Sequence, residues 1–200
     1  MSVIAPTTPM TSRVGFALAA AIAAWTVFAA LGDLQPNGRH LLALGTLRVV
    51  MCAALFAFAV LAGLTGSRAG RLALTVTALA AAGTLVGGVG AVAVDGWSYN
   101  PFAPENEANP LPWYPYLILV STALFALGTL VVGILGRRAG WLAIAVMAAG
   151  VLYAAAGAIN PGGHFIWAAA WFAVALGLAT RPATSLASQP EKDGGKVRLP

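Results

Sequence analysis

Long apolar runs separated by short polar segments make up most of this chain. The uninterrupted runs cover 14–31, 41–65, 72–94, 113–135, 141–159 and 165–180, the last extended to 164 by His164. A helix that crosses a bilayer needs roughly 17–25 such residues. The pattern therefore predicts an all-α, polytopic integral membrane protein, a bundle of six transmembrane helices whose last member is at the short end of that range. Ala, Leu and Gly dominate the runs, with none of the alternation a membrane β-strand requires. A cleaved signal peptide is the competing reading of the first run, since Arg13 precedes it. The apolar core is longer than the roughly 7–15 residues of a signal peptide, and no A-x-A site follows.

The remaining segments are polar. Residues 1–12 and 182–200, rich in turn formers, are expected to be disordered tails flanking a membrane domain over 13–181. The loop 95–112 contains Pro101, Pro104, Pro110 and Pro112, so it cannot be a continuous helix. Its length is that of loops used as lids or binding elements. Segment 63–73 aligns with 133–143 at an offset of 70 residues, both being Gly-rich turns anchored by Arg. A duplication would make helices 2–3 and 4–5 parallel repeats. Such a turn also matches by composition alone.

Composition changes the picture by exclusion. Of 200 residues, 60% are hydrophobic and only 8% charged, and mean hydropathy is +0.84. A soluble domain carries about a quarter charged residues, and a disordered chain has far fewer apolar ones. Cys52 is the only thiol, which rules out an intrachain disulfide and a CxxC site. The net charge of +5 forms no basic stripe interleaved with aromatics, so nucleic acid is not an expected partner.

The cations instead mark topology. Arg13, Arg68, Arg71, Arg137, Arg138, Arg181, Lys192, Lys196 and Arg198 fall on one side of the spans, and Asp33, Asp95, Glu105 and Glu107 on the other, with Arg39. The positive-inside rule makes both termini cytoplasmic. Trp97, Tyr99, Trp113, Tyr114, Tyr116 and Trp167 are expected at the outer interface. Abundant Ala, Gly and Val with only two Lys is the usage of a GC-rich bacterial genome, so the expected location is a bacterial plasma membrane.

Candidate chemistry centres on Arg48, the one cation inside a run. Roughly 12 Å below a helix start at His40, it costs about 2.5 kcal/mol or more in hydrocarbon and so should face a bundle interior or a wet cavity. Otherwise it snorkels outward to Asp33 or Asp95. Trp25, Tyr153 and Trp171 fall near its depth. His164, Trp167 and Trp171 share one helical face, as do Tyr153, Gly157 and Asn160. If these faces converge, Arg48, Trp25, Tyr153, Trp167 and Trp171 form an outward-facing ligand pocket with aromatic walls and a cationic floor. The expected function is a small binding or transport component, or an accessory subunit, whose ligand is amphipathic or anionic.

The alternative is a membrane-embedded enzyme acting on a lipid-like substrate, with His40, His164, Asp33, Asp95, Glu105 and Glu107 as acid–base groups. No metal-ligand spacing, Walker A, GxSxG or HExxH occurs, so no metal or cofactor is implied. The small-residue faces, Gly83 with Gly87 and Gly150 with Ala154 and Gly157, suit tight packing within the bundle or with a partner membrane protein, alongside the lipid bilayer itself.

Overall fold

The computed structural model describes residues 10–31, 38–95, 113–156 and 163–180. Over these residues the protein is all-helical, without strands. Six helices occur, α1 (Met10–Leu31), α2 (Gly38–Leu61), α3 (Arg68–Asp95), α4 (Trp113–Leu135), α5 (Trp141–Ala156) and α6 (Gly163–Thr180). Four stretches are long and apolar enough to cross a membrane: Met10–Val27, Gly38–Leu61, Arg68–Ala93 and Trp113–Leu135. Helices α5 and α6 are apolar but shorter.

Boundaries differ from the hydropathy runs where a local interaction decides them. Helix α1 begins at Met10, so Met10 to Ser12 are helical instead of belonging to the polar tail. The Ser12 hydroxyl donates to the Ala179 carbonyl of α6 at 3.3 Å, which gives a polar residue a reason to join the helix. Helix α2 spans Gly38–Leu61, shifted toward the N-terminus from the expected 41–65. It stops because Gly63 takes φ +69°, a left-handed conformation that only glycine adopts cheaply. A short 3-10 turn (Leu64–Gly66) follows. Ser67 then caps α3, its Oγ accepting from the Gly70 N–H at 2.9 Å. Residues 1–9, 32–37, 96–112, 157–162 and 181–200 lie outside the described residues. The rest of the N-terminal tail, the C-terminal tail and most of the proline-rich loop fall there.

The aligned segments 63–73 and 133–143 do not share a backbone course. The positive-φ glycine stands at the start of the first, Gly63, but at the eighth position of the second, Gly140. The 3-10 turn of the second is also displaced, to Arg137–Ala139.

Helices adjacent in sequence pack side by side, and α1 closes the circuit against α6 more extensively than against α2. Helix α2 also touches α4 and α6, which places it toward the centre. Glycine sets the closest approaches. A Cβ on Gly45 would lie 2.7 Å from the Leu85 Cα, and one on Gly88 2.8 Å from the Leu41 carbonyl oxygen. Thus α2 and α3 meet backbone to backbone, in the way small residues permit between membrane helices. Gly15 does the same for α1 on Ala179, and Gly150 for α5 on Leu130 of α4. Gly83 and Gly87 abut Ser121 and Ile118 of α4, so the α3 pair is used inside the chain.

Gly45→Val forces a clash with backbone that cannot yield, and overpacking of this kind costs about 1–3 kcal/mol. Thermal melting in detergent should show the loss. Gly66→Ala, into open space, should stay within about 0.5 kcal/mol of wild type. Equal melting temperatures for both variants would contradict the close α2–α3 crossing.

Candidate functional site

The site begins with the register of α2. Leu41, Gly45, Arg48, Met51, Leu55 and Phe58 recur at three- and four-residue steps along the buried face, and Arg48 occupies one of these inward positions. With α2 starting at Gly38, Arg48 stands about 15 Å down the helix, deeper than a start at His40 implied. Its side chain is 1% exposed. It does not snorkel but turns into the bundle.

Three other helices meet the guanidinium. Nε donates to the Tyr153 hydroxyl of α5 at 2.5 Å, Nη2 to Thr122 Oγ1 of α4 at 2.8 Å, and Nη1 to Thr84 Oγ1 of α3. Each threonine passes its own proton to the preceding turn: Thr84 to the Ala80 carbonyl at 3.1 Å, Thr122 to that of Ile118 at 2.6 Å. Their lone pairs are thereby left for the cation. The guanidinium carbon lies 5.0 Å from the Tyr153 ring centroid and 5.7 Å from that of Phe125, within cation–π range. Hydroxyl dipoles and aromatic faces from α3, α4 and α5 thus take the place of bulk water around the charge.

The predicted aromatics extend this cage outward along a chain of ring contacts. Tyr153 meets Trp167 edge-on at 5.3 Å, Trp167 meets Trp25 at 6.1 Å, and Trp25 meets His40 at 4.8 Å. Trp171 contacts the cage through Phe125 at 6.2 Å. Of the five predicted ligand-pocket residues, Arg48 and Tyr153 touch directly, while Trp167, Trp25 and Trp171 join through rings. All five are buried. Trp167 faces the bundle instead of the outer interface, and Tyr114 is likewise buried. Trp113 and Tyr116 stay exposed.

No family model, curated protein or solved structure matches this chain. Its function rests on the site itself.

Open space occurs beside the cage, where α1 packs least on α2. A groove of 580 Å³ there is lined by Ala21, Ala24 and Trp25 of α1 and by Arg39, Leu42, Ala43, Thr46, Leu47 and Val50 of α2. Thr46 spends its hydroxyl on the Leu42 carbonyl at 3.0 Å, which leaves the wall apolar below Arg39. The exposed cation of this groove is therefore Arg39, not Arg48. Trp25 belongs to both features. A second apolar groove, 490 Å³, flanks α1 against α6 and includes Thr26, Phe165 and Phe172.

Of the acid–base candidates, His40 is 5% exposed and packs on Trp25. Asp33, Glu105 and Glu107 lie outside the described residues. Asp95 ends α3 and His164 sits in the first turn of α6, and only their backbones are described. Sequence reasoning missed Thr84, Thr122 and Phe125. The signal was present: Thr84 lies inside the Gly83–Gly87 motif, read for its glycines alone, and mid-span hydroxyls are natural partners for a mid-span cation.

A cation left with an unmatched donor is destabilised more than one whose whole cage is replaced. Tyr153→Phe should therefore cost about 1.5–3 kcal/mol when Arg48 is present and under about 1 kcal/mol in an Arg48→Met background. Equal losses in the two backgrounds, in a double-mutant cycle of melting in detergent, would show that the pair does not interact.

Proposed function

We propose that this chain is a six-span integral protein of a bacterial plasma membrane, with both termini cytoplasmic, that binds an anionic, chain-bearing lipid of the outer leaflet. The α1–α2 groove carries the reading. Arg39 stands at its rim and apolar wall continues to Val50, eleven residues or about 16 Å below. That is close to half of a hydrocarbon core about 30 Å thick, so the groove is one leaflet deep. A guanidinium at headgroup level attracts phosphate, and the wall of Ala21, Ala24, Ala43, Leu47 and Val50 accepts a single acyl chain.

Six spans are supported by the outward faces of the two shorter helices. Ile144 and Val151 of α5 and Phe165, Ile166, Phe172 and Leu176 of α6 are exposed and apolar, like Phe56, Leu79 and Leu127 on the longer helices. Such a surface suits lipid on every side. In this topology Arg39 lies at the outer face and the Arg137–Arg138 turn at the inner one.

Orientation is checked by cysteine labelling in a Cys52→Ala background. Asn106→Cys should react with an impermeant maleimide in intact cells, and Ser188→Cys only after permeabilisation. The reverse pattern would overturn the orientation and with it the choice of leaflet.

Lipid binding is checked by native mass spectrometry with phosphatidylglycerol and phosphatidylcholine of the same chains. Wild type should retain phosphatidylglycerol preferentially. Arg39→Gln should reduce that preference about five-fold, the effect of one interfacial cation. Ala43→Trp, filling the groove, should displace both lipids. Equal retention of the two lipids by wild type would exclude the proposed site.

A further inference from the structure

The Arg48 cage has more donors than acceptors. A guanidinium carries five N–H groups and no acceptor. Three are matched, by Tyr153, Thr84 and Thr122. Two guanidinium N–H groups are left over among the described residues. Because Arg48 can only donate, the Tyr153 oxygen must accept, and its own proton finds no described acceptor. Trp171 Nε1, on a side chain that is 0% exposed and packs on Phe125, likewise has none. Two spare guanidinium N–H groups, the Tyr153 hydroxyl proton and one full positive charge thus meet inside the cage, and Trp171 Nε1 is a further unmatched donor on a ring packed against Phe125.

The helices offer no carboxylate to balance this charge. Between residues 34 and 94, and again between 108 and 190, the chain contains no Asp or Glu. Asp95 closes α3 eleven residues beyond Thr84, about 16 Å along the axis and well outside side-chain reach. A water molecule could accept the spare hydrogen bonds but would leave the charge without a counter-charge among the described residues. A small anion does both, and a buried cation is normally paired.

We propose that the Arg48 cage is a binding site for a small monovalent inorganic anion of the halide class, held by the two spare guanidinium N–H groups and the Tyr153 hydroxyl. The anion is the counter-charge that lets α2 carry an arginine through the middle of the bundle. The site is independent of the Arg39 groove, so Arg39→Gln should leave it intact.

The test uses the full chain in a zwitterionic or nonionic detergent at constant ionic strength, with sodium chloride exchanged stepwise for sodium gluconate. Wild type should show a saturable rise of melting temperature with chloride, and bromide should substitute for it. Arg48→Met should lose this dependence, and Tyr153→Phe, which keeps the cation, should shift the chloride midpoint about 10-fold upward, the equivalent of one charge-assisted hydrogen bond. Line broadening of the ³⁵Cl resonance by the wild-type protein, reversed by bromide, checks occupancy without any variant. A melting temperature indifferent to halide, or a rise of equal size in Arg48→Met, would overturn the proposal. Loss of lipid selectivity with the halide response preserved would sink the lipid reading and leave the anion site standing.

Discussion

A guanidinium cannot give up its charge at any accessible pH, and placing one in an apolar helix bundle obliges the surroundings to solvate it. The structure meets that demand with oxygen atoms from three helices other than its own. Arg48 of α2 reaches Thr84 on α3, Thr122 on α4 and Tyr153 on α5. These bonds span separations of 36, 74 and 105 residues, so satisfying one side chain fixes the mutual rotation of four helices. Among membrane helices, where burial of apolar surface provides little drive for association, such directional bonds and close packing carry much of the specificity.

Close packing does the complementary part. Gly45 and Gly88 let α2 and α3 approach until backbones touch, which brings Thr84 within reach of Arg48. A larger residue at either position would push α3 outward and lengthen the bond to Thr84. The glycine crossing at Gly45 and Gly88 and the buried arginine are therefore one device. The weaker α1–α2 contact leaves room on the far side of Trp25, so the same ring that links Trp167 to His40 also walls the groove under Arg39.

Much of this was legible in sequence, and the omissions have physical causes. Depth matching along helices placed Trp25, Tyr153 and Trp171 near Arg48, because a rise of 1.5 Å per residue converts sequence distance to height. Rotation about each helix axis was not legible to the same degree. Trp167, expected both at the interface and in the pocket, turns inward onto Tyr153, and Thr122 escaped notice because hydroxyls are common in apolar helices and bond their own backbone. The turns were also beyond reach: segments 63–73 and 133–143 look alike in sequence, yet their positive-φ glycines fall at different positions.

Sequence by itself determined that the chain is helical and apolar, built of runs long enough to cross a membrane, and that one cation, Arg48, lies inside such a run. These follow from composition and period, which are local properties. Which oxygens surround that cation, and that the exposed cation beside the open groove is Arg39 instead, only the tertiary structure decided. The reason is that a helix fixes the angles between its own side chains but not its rotation about its axis, which is set only when its neighbours' small residues decide how near, and at what angle, the next helix can come.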